Sequence, residues 1–185
     1  EKRLPEIFKF IVDKKKEGYQ TFIVYPLVED SDKLELKAAE TYYEELRETH
    51  LKNLRLGLIH GRMSWQEKEE KMLLKLKKEF DVLVATTVIE VGIDIPDANI
   101  ILINDAHRFG LSQLHQLRGR VGRSDKQAYC ILVTKDEIVQ YNIQQQLDLD
   151  YLSTSMIEKY KSAIRLQTMV KTNNGFESAE TDLKL

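Results

Sequence analysis

A chain of 185 residues, 42% apolar and 31% charged, is long enough for one well-filled domain and a small appendage. Its formal net charge of −2 excludes a surface coated with cation for unspecific nucleic-acid binding, so any such contact must be local. The single Cys130 excludes an internal disulfide and a multi-cysteine metal site, and fits a reducing compartment.

Residues 4–17 read as a helix, with Pro5 in the first turn and Gly18 at the end. Residues 21–25 form a short apolar strand stopped by Pro26. An acidic loop follows, and Ser31 is placed to cap a helix running to about Thr49. Residues 54–59 are a second strand, closed by the tight turn His60-Gly61-Arg62-Met63. Ser64 and Glu67 have capping-box spacing and open a Lys/Glu-rich helix to about Glu79. Residues 81–85 make a third strand ending in Thr86-Thr87; residues 99–103 and 128–133 make a fourth and a fifth. Residues 137–171 carry no glycine or proline and read as helix, broken near 148–153. Asn173-Asn174-Gly175 is a stop signal, and another helix starts at Phe176.

Strands alternate with helices, and the strands are continuous apolar runs, as expected when both sheet faces are covered. The pattern predicts an α/β domain over residues 1–136, with a mainly parallel sheet flanked by helices. A short helical extension over 137–185 is expected to be cut off in mid-pattern, so the chain reads as an excised fragment. No apolar run approaches the length of about 18 residues that would read as a membrane span. In such sheets ligands gather beyond the carboxyl ends of strands. The turns there are Gly61-Arg62, Thr86-Thr87 and Asn104-Asp105.

The chain has nine arginines, and four fall between Arg108 and Arg123. If residues 113–123 form one helix, Gln116, Arg120 and Arg123 share a face, with Leu111, Leu114, Leu117 and Val121 roughly opposite. That face would present two guanidiniums and an amide, suited to phosphate. Arg118 lies beside the apolar stripe, and a structural ion pair or a DNA contact is expected for it. Gly119 and Gly122 imply a close approach of backbone or ligand, or an early helix end. Thr86 and Thr87 offer hydroxyls at a strand end, suited to a phosphate seat or to an ordinary cap. Asp94, two residues past Gly92, can accept from a ribose hydroxyl or close a turn before Pro96. Arg62 is a backbone-phosphate contact or a solvated side chain, and Asp105 reads as a cap or turn residue. No glycine is followed by lysine, so there is no phosphate-cradling Gly-Lys-Ser/Thr loop, and the four histidines lack metal-ligand spacing.

Residues 85–96, Ala-Thr-Thr-Val-Ile-Glu-Val-Gly-Ile-Asp-Ile-Pro, resemble motif V of superfamily-two helicases. Residues 116–123, Gln-Leu-Arg-Gly-Arg-Val-Gly-Arg, resemble their motif VI. With Tyr25-Pro-Leu-Val-Glu, Leu58-Ile-His-Gly-Arg-Met63 and Asn173-Asn-Gly-Phe-Glu177, the likeness narrows to the RecG family of branched-DNA helicases and covers nearly the whole chain. The resemblance implies the second RecA-like motor domain of an ATP-driven double-strand DNA translocase acting on replication forks and Holliday junctions in repair and recombination. It places Gln116, Arg120 and Arg123 in catalysis, reaching ATP bound on another domain. It places Gly92 and Asp94 near nucleotide, and Thr86, Thr87, Gly61 and Arg62 on DNA. From about Arg165 the tail is similar to the start of a translocation hairpin.

The resemblance also implies ATP with Mg2+, held mainly by a first motor domain outside this chain, and a wedge domain that reads branched double-stranded DNA. It implies a bacterial, cytoplasmic, nucleoid-associated protein with no membrane. The fragment alone is expected to be inactive. The same motifs leave two other readings open. One is the equivalent domain of a transcription-repair coupling factor. The other is a non-catalytic DNA or protein interaction module.

Overall fold

The computed structural model describes residues 3–26, 32–86, 98–122, 125–136, 138 and 153–172. Five strands make one sheet: β1 (Gln20–Tyr25), β2 (Leu56–Ile59), β3 (Val82–Thr86), β4 (Ala98–Ile103) and β5 (Tyr129–Leu132). Their order is β2-β3-β1-β4-β5, and every neighbouring pair is parallel. The helices are α1 (Leu4–Lys16), α2 (Asp32–Glu45), α3 (Trp65–Leu76), α4 (Leu111–Arg118) and α5 (Thr154–Lys171).

The apolar runs are buried on both sides because alternate residues of each strand serve different layers. Phe22, Leu83, Ala85, Ile101 and Ile103 face one core, which also takes Leu111, Leu114, Leu166 and Met169 from α4 and α5. Ile23, Val82, Val84 and Leu102 face the other, against Phe8 and Ile11 of α1 and Leu46 and Leu51 after α2. Each fully buried side chain of this kind stabilises the fold by roughly 1.5–3 kcal/mol. Together the two layers fix the heights at which the strands end, and so the positions of the turns.

Local signals behave as their chemistry requires. Ser64 and Glu67 form the predicted capping box: the Glu67 backbone N–H donates to Ser64 Oγ at 3.2 Å, and the Ser64 N–H donates to Glu67 Oε2 at 2.7 Å. Gly18 ends α1 with φ +79°, a conformation that suits glycine. Ser153 caps α5; the rest of the break expected near 148–153 lies outside the described residues.

The helical run expected to reach Thr49 does so, as α-helix to Glu45 and then as a π turn over Leu46–His50 that buries Leu46. Two boundaries differ from the sequence expectation. The helix expected to reach Glu79 stops at Leu76, because Lys78 turns left-handed at φ +60°. The helix read through residues 113–123 stops at Arg118. There the early-end reading of the two glycines holds: Gly119 is the C-cap, and Gly122 has φ +90°.

Candidate functional site

The expected site residues divide between two edges of the sheet. At the carboxyl edge, β2 and β3 pair with Ile59 opposite Ala85, so His60 and Thr86 follow at the same level. The Met63 N–H donates to the His60 carbonyl at 3.2 Å and closes the turn that carries Gly61 and an exposed Arg62. Two lysines of α3 pin this turn from behind. Lys68 Nζ donates to the Gly61 carbonyl at 3.2 Å, and Lys71 Nζ donates to the Leu58 carbonyl at 2.8 Å. Thr86 is 3% exposed, and its buried Oγ1 has no hydrogen-bond partner; nor has the buried His60 Nδ1. Burial pushes the His60 imidazole below its ordinary pKa, so the ring is neutral near pH 7. Arg62 and Thr86 thus lie at one edge, on adjacent strand ends; the exposed Arg62 is a donor suited to a phosphate, whereas the Thr86 hydroxyl is buried.

At the opposite edge, α4 returns from the carboxyl side, and its last turn leads into the arginine-rich stretch. Gln116 is exposed on α4, and Arg120 is half-buried just past the C-cap. They do not share a continuous helical face, since the Arg120 N–H already bonds to the Leu117 carbonyl in a tightening turn. The Gly122 N–H donates to the carbonyl of Ala98, the first residue of β4, at 3.2 Å. A side chain at Gly122 would bring its Cβ within 2.8 Å of Ala128 Cβ. Ala98 stands four residues after Asp94 in sequence, so this bond ties the end of one motif to the strand that follows the other. Thr87, Gly92, Asp94 and Arg123 lie outside the described residues.

Arg118 is a structural residue with partners other than those expected. Its Nη1 donates to the Met169 carbonyl at 2.9 Å and the Thr172 carbonyl at 2.6 Å, and its Nη2 contacts His115 Nδ1 at 2.9 Å. It caps the C-terminal end of α5, where orphan carbonyls need donors. Arginine beside an apolar stripe was legible; carbonyls 51 and 54 residues away were not. Asp105 is the turn residue it was read as, left-handed at φ +44° and accepting from the Arg108 N–H. The sequence reading placed His60 in the turn, but its burial was not legible there.

Chemically, the amino edge offers cation and amide groups suited to one side of a phosphate. Among the described residues no group of three His, Cys, Asp or Glu side chains is placed to hold a metal ion. No described helix is long and apolar enough to cross a membrane. A cleft of about 530 Å³ between α1 and β5 is lined by Leu4, Ile7, Phe10, Tyr129 and Ile131, and contains none of the expected site residues.

Residues 2–125 match the model of the helicase conserved C-terminal domain. The chain belongs to this family. As a helicase C-terminal domain it is 48% identical over 185 residues to the ATP-dependent DNA helicase RecG of Aquifex aeolicus, covering 100% of this chain and 21% of that protein. It is 43% identical over 182 residues to RecG of Thermotoga maritima, covering 98% of this chain and 21% of that one. The domain therefore spans about a fifth of the length of these curated relatives. A solved structure of RecG bound to a three-way DNA junction is 40% identical with a TM-score of 0.71, covering 98% of this chain and 21% of that one. Domain 2 of the DEAD-box helicase Mss116p, bound to an RNA duplex, shares the fold at 17% identity and a TM-score of 0.59, covering 97% of this chain and 72% of that one. The sheet with its flanking helices is thus the RecA-like fold of helicase C-terminal domains.

Proposed function

We propose that this chain is the second motor domain of an ATP-dependent double-strand DNA translocase that remodels branched DNA, including forks and Holliday junctions, in repair and recombination. The observation that carries the proposal is likeness at 48% identity along the full chain to a RecG helicase, with Gln116, Arg120, Arg123 and Asp94 in place. The two-edge geometry supports a division of labour. Gly61, Arg62, Thr86 and Thr87 hold the DNA backbone, while Gln116, Arg120 and Arg123 face ATP and Gly92 and Asp94 contact the nucleotide.

The residues present fit half of an ATP site. There are guanidiniums and an amide, but no Gly-Lys-Ser/Thr sequence anywhere in the chain. ATP and Mg2+ are held mainly by a first motor domain, and a wedge domain of the same full-length protein engages the branch. The chemistry that bound ATP supplies is transfer of its γ-phosphoryl group to water. Arg120 and Arg123 stabilise negative charge at the transferring group, an effect worth about 10³–10⁵ in rate where measured in other classes. Gln116 orients the polar groups beside them. Arg118 ties α4 to the end of α5, so a displacement of the arginine stretch is passed to the helical extension over 137–185, the start of a translocation hairpin. Residues 1–136 are the motor domain proper. The protein works in the bacterial cytoplasm on nucleoid DNA.

The test uses the full-length parent, with ATPase measured with and without branched DNA. Arg120→Ala and Arg123→Ala are each expected to lower DNA-stimulated turnover by at least about 10³-fold while nucleotide binding survives. Unchanged turnover would move the non-catalytic module reading ahead. The fragment alone is expected neither to hydrolyse ATP nor to unwind DNA, and steady ATPase by the pure fragment that Arg123→Ala abolishes would refute this.

A further inference from the structure

The turn that leaves the carboxyl end of β4 has no part in the division of labour above. It stands at a distinctive place. The chain lays β2 and β3 on one side of β1, then β4 and β5 on the other, so the strand order changes direction between β1 and β4. In open parallel sheets, ligands bind in the crevice beyond the carboxyl ends of the strands at such a point. Residues 104–109 border that crevice on the β4 side.

This turn is rigid and strained. The Asn104 N–H donates to the Val24 carbonyl of β1 at 2.9 Å, and the Ala106 N–H donates to the Val133 carbonyl after β5 at 2.8 Å. Asn104 Nδ2 also donates to Tyr42 Oη at 3.3 Å, and Ala106 and Phe109 are buried. Between them Asp105 is left-handed at φ +44°, a conformation that is costly for a residue with a side chain. Backbone strain of this kind persists only where its surroundings enforce it, and it collects at functional sites. The same turn ends in the exposed Arg108.

The partners of the other arginines single Arg108 out. Arg3, Arg47 and Arg55 are ion-paired to Glu6, Glu44 and Asp81. Arg118 holds carbonyls of α5, and Arg120 and Arg165 also have partners. Arg123 lies outside the described residues. Among the described residues that leaves Arg62 and Arg108 with exposed guanidiniums and no hydrogen bond or ion pair, and both follow carboxyl ends of strands. In a chain of net charge −2, nucleic-acid contact has to be local, and two unpaired guanidiniums at one edge are local.

We propose that Arg108 is a second DNA-backbone contact, donating to a phosphodiester oxygen at the same edge as Arg62. The inference rests on the proposed reading of the carboxyl edge as the DNA face. β2 and β4 are three strand spacings apart, roughly 14 Å. That distance covers about four nucleotide rises along one strand, so the two arginines meet different phosphates. A fixed main chain and a guanidinium with no internal partner to give up keep the cost of binding low.

The experiment is fluorescence anisotropy of the full-length parent on a labelled linear duplex, which offers a wedge domain no branch to read. It is run without nucleotide between about 50 and 200 mM salt, with variants first shown to fold by thermal melting. Arg108→Ala is expected to weaken binding severalfold for all sequences and to lower the salt slope by about one ion. Arg108→Lys keeps the charge and is expected to retain the slope and most of the affinity. The double variant Arg62→Ala/Arg108→Ala should lose about two ions of slope, with its affinity loss the product of the two single losses. Arg47→Ala, an exposed arginine before the amino end of β2, should bind as wild type. Wild-type affinity and slope in Arg108→Ala, while Arg62→Ala shows its own loss, overturn the Arg108 contact alone. An equal loss in Arg47→Ala also overturns it, because charge anywhere on the domain would then suffice. Wild-type binding in both Arg62→Ala and Arg108→Ala overturns the DNA-face reading beneath it, a distinct outcome of the same assay.

Discussion

The two edges of the sheet hold their functional turns in different ways. At the carboxyl edge, the Gly61-Arg62 turn leaves a buried strand and is pinned by groups close in sequence. Lys68 reaches back seven residues, Lys71 reaches back 13, and the Ser64 capping box starts the helix that carries both. At the amino edge, the stretch after α4 is held by Ala98, 24 residues back, and by Glu17, 109 residues back. Short-range pins cost little loop-closure entropy and form with the helix itself. Long-range pins form only when the sheet is assembled, so the arginine stretch inherits its geometry from the whole fold. A substitution far from Arg120 can therefore change how it presents its charge, whereas the Gly61-Arg62 turn should be insulated from distant changes.

Lys75 offers the largest test of the amino edge's dependence on side-chain pins. It is 2% exposed, and its Nζ donates to the Thr21 and Asp81 carbonyls at 3.2 and 3.1 Å, across the amino ends of β1 and β3. Burial pushes the ammonium down to about 7, against the pull of the Asp81 carboxylate. Between that value and the ordinary lysine range the unfolded chain binds more protons. This group's contribution therefore makes stability rise with pH, by about 1.4 kcal/mol per unit. Urea unfolding from pH 7 to 9 should show that slope in the wild type and a flatter one in Lys75→Met. Equal slopes would mean that Lys75 stays charged in its carbonyl cage.

Arg118→Met should cost about 1–3 kcal/mol, because the Met169 and Thr172 carbonyls lose a charged donor. The loss should show as a lower melting temperature together with earlier hydrogen exchange at the end of α5. An ATPase defect as deep as that of Arg120→Ala, without loss of stability, would instead make Arg118 part of the ATP site. The smallest effect is expected at the locally pinned edge. Arg62→Ala should weaken DNA binding severalfold for all sequences and reduce the salt slope by about one ion. KM for ATP should stay at its wild-type value. A shift in KM would show that the two edges are not separate.

Lys68, Lys71 and Lys75 show where sequence reading stopped. In the sequence they look like the solvated face of a Lys/Glu-rich helix. In the structure they form a stripe at i, i+3 and i+7 that donates to carbonyls of β1, β2 and their neighbouring turns. Nothing in their spacing separates them from the exposed Lys77, because the difference lies in what the helix packs against. Arg118 is similar. Its departure from the Arg120 direction was readable on the helix wheel, but its partners belong to α5. The helical-wheel grouping of Gln116 with Arg120 failed because Gly119 and Gly122 ended the helix, a local signal outweighed by the regular spacing of arginines.

Short-range chemistry was determined by the sequence alone. That includes the five apolar strands, the α/β alternation, the capping box at Ser64, the glycine end of α1 and the motif residues themselves. These depend on periodicity, propensity and contacts a few residues apart, which a linear chain displays directly. Only the tertiary structure decided which carbonyls Arg118 reaches and that Lys75 is buried. Only there do Lys126 and Gly122 acquire partners. The physical reason is that a hydrogen bond across 24 or 109 residues exists only after strand order has brought its ends together, and strand order is a property of the packed sheet.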